Sequence, residues 1–133
     1  MGDKSAVGDT FNMSGDFRGA ILNIKSTLTQ VSQSISALPT AEPAAKEALQ
    51  QLIAQLNETL QQAPPEKTEE AEAVAQSAES LVKTAAEDKP NKTMVRITAE
   101  GFKQAAQSVA DVLPTVLSIA TQIASAVTKL TGA

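Results

Sequence analysis

Six prolines, at positions 39, 43, 64, 65, 90 and 114, constrain this chain more than any other feature. Proline lacks the N–H that a helix interior needs and clashes with the preceding turn, so each position marks a helix boundary or a kink. Between the prolines, apolar residues recur with a period near 3.6, the signature of helices that each bury one stripe. From Ser26, the residues Leu28, Val31, Ile35 and Leu38 share a face, and Pro39 ends that run. A second helix opens near Thr40, Glu42 and Pro43, a cap and first turn, and carries Leu49, Leu52, Ile53, Leu56 and Leu60 opposite a face of Gln, Asn and Glu. Pro64-Pro65 breaks the chain again.

A third helix starts in the acidic cluster Glu66, Glu69, Glu70 and Glu72, where negative charge favours the positive end of the helix dipole. Its core stripe is Ala71, Val74, Ala78, Leu81, Val82 and Ala85. After the connector Glu87 to Asn91, a fourth helix from about Thr93 presents Ile97, Phe102, Ala105, Ala106, Val109 and Val112. Gly101 weakens it by about 1 kcal/mol relative to Ala. Residues 92–98 also suit a strand, because Thr93, Val95, Ile97 and Thr98 are β-branched. Beyond Pro114, Val116, Leu117, Ile119, Ala120, Ile123, Ala124, Val127 and Leu130 cover more than half a helix circumference. That last helix is either the central helix of a bundle or a surface for another molecule.

The N-terminal segment reads differently. Gly-Asp recurs at Gly2-Asp3, Gly8-Asp9 and Gly15-Asp16, turn dipeptides that punctuate apolar residues. Phe11 and Met13 alternate onto one face of a short strand; past the turn, Ala20, Leu22 and Ile24 line one face of a second strand and Phe17 and Ile21 the other. The expectation is a mainly α fold, a four- to five-helix bundle over residues 26–133, with a short β-rich arm at its N-terminus (residues 1–25, the strands within 8–25), all in one structural domain. A two-stranded ribbon alone is marginal in water and offers its edges to other strands.

At 133 residues the chain suits one domain. Aromatic residues make up 2% of it, so the core is built from Leu, Ile, Val and Ala. It has no His, Cys, Trp or Tyr, which removes the usual transition-metal ligands, thiol nucleophiles and the commonest general base. Ser14, Ser26 and Ser32 have no histidine to activate them, and Gly15 to Gly19 lacks the pattern of a phosphate-binding loop. Glu66, Glu69 and Glu70 read as a solvated first turn rather than a cation site. The expectation is no enzyme, no cofactor and no metal. A net charge of −4 with scattered Lys and Arg opposes nucleic-acid binding. No secretory signal is visible at the N-terminus, so the cytoplasm is the expected location.

The segment Gly8-Asp9-Thr10-Phe11-Asn12-Met13-Ser14-Gly15-Asp16-Phe17-Arg18-Gly19-Ala20-Ile21-Leu22-Asn23-Ile24-Lys25-Ser26, with Asn91-Lys92-Thr93 and Val112-Leu113-Pro114-Thr115-Val116-Leu117, resembles a poorly characterised small bacterial domain. Similar segments occur in hypothetical proteins and as modules of multidomain signalling or conflict proteins. The resemblance implies an interaction or assembly module and carries over no catalytic or binding residue.

The functional expectation is non-enzymatic self-assembly into a homo-oligomer or filament. The expected contact residues are Phe11, Met13, Phe17, Ile21, Leu22 and Ile24 in the arm, and Val116, Ile119, Ile123 and Val127 on the last helix. One alternative is a membrane-active protein, since residues 112–128 between Asp111 and Lys129 are uncharged. Thr115, Ser118, Thr121, Gln122, Ser125 and Thr128 dilute that run below a spanning segment. A further alternative is a heterotypic adaptor in bacterial signalling or defence, where another protein supplies the partner surface.

Overall fold

The computed structural model describes residues 13–38, 42–87 and 89–132, with side chains from residue 19 on. It is mainly α: five helices pack into a bundle, α1 (Met13–Ser36), α2 (Pro43–Leu60), α3 (Thr68–Ala85), α4 (Lys92–Gln107) and α5 (Pro114–Thr131), with a 3-10 turn over Pro65–Lys67. Three of the prolines start elements rather than interrupt them. Pro43, Pro65 and Pro114 lie in the first turns of α2, the 3-10 turn and α5, where a missing N–H leaves no bond unmade. Gly132 ends α5 with φ 72, the left-handed conformation that favours glycine.

The helices form a closed ring in the order α1, α2, α5, α4, α3, and α3 also meets α5 across the interior. Successive helices reverse direction. The start of α2 lies beside the end of α1, where Lys46 Nζ donates to the Ser36 carbonyl at 2.9 Å and Gln50 Nε2 donates to the Ser32 carbonyl at 3.2 Å and the Ser36 hydroxyl at 2.6 Å. Lys67, just before α3, reaches Ser108, just after α4. One stripe from each helix fills the centre: Ile24, Leu28, Val31 and Ile35 from α1, Leu49, Ile53, Leu56 and Leu60 from α2, Val74, Ala78 and Leu81 from α3, Val95 and Phe102 from α4, Ile119 and Ile123 from α5. Among the described residues no polar or charged side chain is buried.

Two expectations are corrected. The first is the β-rich arm: residues 13–25 belong to α1, which runs through position 25 without a break. The expected strand of Ala20, Leu22 and Ile24 would set all three on one face. Instead Ala20 and Ile24 are buried while Leu22 is 62% exposed, the pattern of positions i and i+4 on a helix. The deciding signal is the spacing of Phe17, Ile21, Ile24, Leu28, Val31, Ile35 and Leu38, which alternates four and three residues and carries the downstream stripe back through the supposed strand. That continuity outweighs the cost of about 1 kcal/mol for Gly19 in the helix. The remainder of the arm, including Phe11, lies outside the described residues.

The second correction concerns α4. Residues 92–98 are helical. Asn91 caps this helix, its side-chain oxygen accepting the Met94 N–H at 3.1 Å, and the Thr98 hydroxyl donates to the Met94 carbonyl at 2.8 Å. The buried face is Val95, Ala99, Phe102 and Ala106. Ile97 and Val112, expected in the core, are exposed.

Candidate interaction surface

A helix advances about 100° per residue, so once Val95, Ala99, Phe102 and Ala106 turn into the core, the outward positions of α4 follow.

 With Val95 turned into the core, Ile97 stands nearly opposite it, and Met94 lies one turn before Ile97 on the outer side. Met94 is 45% and Ile97 57% exposed. Gly101, one turn beyond Ile97, is exposed too, and a Cβ built there would meet nothing within 4 Å. Charged residues flank this face: Arg96 is exposed, and Glu100 pairs with Lys103 at 3.3 Å. Arg96, Ile97, Glu100 and Lys103 line one side of an open groove of about 370 Å³, and Thr128 of α5 lines the other. Leu22 on α1 and Val112 after α4 are the other large apolar side chains exposed among the described residues.

A second open groove, of about 260 Å³, lies between α1 and α2, where Ser32, Gln33, Gln50 and Asn57 supply polar groups and Leu28 and Ile53 the floor. Gln50 is already committed there to Ser32 and Ser36. The acidic residues at the start of α3 are drawn to different neighbours. Glu70 lies 3.8 Å from Lys67, and Glu72 accepts from Asn23 Nδ2 at 3.3 Å. Among the described residues no three His, Cys, Asp or Glu side chains converge where they could hold a metal ion.

The structure separates the expected contact residues. Of those assigned to the arm, Leu22 faces outward, Ile21 is half-buried against the core and Ile24 is fully buried. Met13 and Phe17 lie within α1, and Phe11 lies outside the described residues. On α5, Val116, Ile119, Ile123 and Val127 are all at most 4% exposed. They are core residues, because α5 has α2, α3 and α4 around it, and they offer no surface while the bundle is closed. Met94 is not among the apolar residues that the sequence offers for the stripe of α4, and Ile97, which is among them, faces outward. The four-three-four spacing of Val95, Ala99, Phe102 and Ala106 is the signal that places both outside.

Among the described residues, no helix is long and apolar enough to cross a membrane. The chain matches no family model, no curated protein and no solved structure.

Proposed function

We propose that this chain is a non-enzymatic self-association module whose copies join through apolar side chains left outside the core. The observation that supports this reading is the pair Met94 and Ile97, adjacent on one outer face of α4 and both about half exposed. Association proceeds by helix packing, since the N-terminal segment is helical from Met13 onward. The resemblance of residues 8–26 to modules of bacterial signalling and conflict proteins adds to this by analogy alone.

Magnitudes set the strength of the contact. Burying a large aliphatic side chain in full contributes roughly 1.5–3 kcal/mol, and Met94 and Ile97 begin half covered. Association costs roughly 4–15 kcal/mol in lost freedom. A contact of this size is therefore weak, and its population follows concentration. Light scattering across a gel-filtration peak, at several loading concentrations and without detergent, tests the proposal. A mass rising above 13.8 kDa with concentration supports it. A constant 13.8 kDa at all concentrations contradicts it and directs the search to a heterotypic partner.

A further inference from the structure

We infer that the surface which joins two copies is α4 itself, packed antiparallel on α4 of a second copy about a two-fold axis at the level of Thr98. This rests on the self-association proposed above and specifies its partner surface. A two-fold contact requires one patch to fit itself, with a projection and a recess on the same face. Ile97 is the projection, 57% exposed. Gly101, four residues on, is the recess, with open space where a Cβ would stand. In the antiparallel register centred on residue 98, Ile97 of each copy enters the gap between Ile97 and Gly101 of the other, in the manner of a knob in a hole. Glycine at that position lets the two backbones approach closely.

Charge agrees with the same register. Arg96 and Glu100 are four residues apart on one flank of the face, and both are exposed. A two-fold axis at the level of residue 98 sets Arg96 of each copy beside Glu100 of the other, so the flank meets its opposite sign. A register moved two residues toward the C-terminus would set Glu100 beside Glu100 and is disfavoured. One crossing of two 16-residue helices covers less than the about 1,200–2,000 Å² of a stable interface. The dimer accordingly forms and dissolves with concentration.

Sedimentation velocity on the full chain over a wide concentration range tests the inference, with far-ultraviolet circular dichroism to check each variant's fold. The wild type should move from monomer toward dimer as concentration rises. Ile97→Glu and Gly101→Leu, both at exposed positions, should keep full helicity and weaken the dimer by about tenfold or more. Arg96→Glu should weaken it, and the double variant Arg96→Glu with Glu100→Arg should recover it. If the wild type associates and neither Ile97→Glu nor Gly101→Leu weakens it, the α4 pairing is wrong while self-association through another surface stands. A wild type that stays monomeric throughout overturns both.

Discussion

Lys67 Nζ lies 3.4 Å from the Asp111 carboxylate and donates to the Ser108 carbonyl at 3.2 Å, clasping the chain just before α3 to the chain just after α4. Ser108 is the C-cap of α4, where unsatisfied carbonyls and the negative end of the helix dipole favour a cation. The Lys67 side chain is 23% exposed and that of Asp111 64%, so the carbonyl bond matters more than the largely solvated ion pair. Lys67→Met should therefore destabilise the bundle by about 1–2 kcal/mol, and Asp111→Ala by less than about 1 kcal/mol. Urea unfolding of the two variants checks that order.

Asn91 does for the start of α4 what Lys67 does for its end. Asn91→Ala should cost about 1 kcal/mol, while Asn91→Asp should keep the cap and hold the stability near that of the wild type. Thermal unfolding followed by circular dichroism distinguishes the pair. Equal losses in both variants would mean that the Asn91 bond to the Met94 N–H contributes nothing.

Phe102 is the largest fully buried side chain in a core of aliphatic residues. Truncation to Ala leaves a cavity that five packed helices cannot readily close. Phe102→Ala should cost about 3–5 kcal/mol, a large part of the roughly 5–15 kcal/mol by which domains of this size are stable. The denaturation midpoint should fall accordingly.

The helical course of α1 has its own test. Ile24→Ala should cost about 2–5 kcal/mol, whereas Leu22→Ala should stay within about 0.5 kcal/mol of wild type. A strand with both residues on one face would make the two losses similar. Removing residues 1–25 deletes Ala20 and Ile24 from the core, so that truncation should unfold cooperatively at a much lower temperature or fail to fold.

The stripes of α2, α3 and α5 were legible in the sequence because prolines bound them and their periods are clean. Leu49, Ile53, Leu56 and Leu60 are buried as the spacing requires, as are Val74, Ala78 and Leu81. Two features misled a local reading. Gly15-Asp16 and Gly19 carry strong turn chemistry, yet the four-three spacing from Phe17 to Leu38 holds the helix together over a longer range than a dipeptide signal reaches. In α4, Ile97 and Phe102 are five residues apart and cannot share a stripe with Ala106, while Val95, Ala99, Phe102 and Ala106 can. The breadth of the apolar face on α5 was plain, but not its cause, which is the three neighbouring helices. The clasp between Lys67 and Asp111 had no local signal, since it depends on how α3 and α4 pack.

Gly101→Ala separates folding from association. The Cβ enters open space in a helix interior, so the monomer should gain about 0.5–1 kcal/mol. A methyl group in the recess should leave the dimer no stronger. A substitution that raised the melting temperature and tightened association together would argue against a close approach at this point.

The most direct measurement is sedimentation velocity of the wild type beside Ile97→Glu, from dilute to concentrated solution without detergent. The expected result is a wild type whose mean sedimentation coefficient climbs with concentration and a fully helical variant whose coefficient does not. Two flat profiles at the monomer value would contradict self-association through the exposed helix faces.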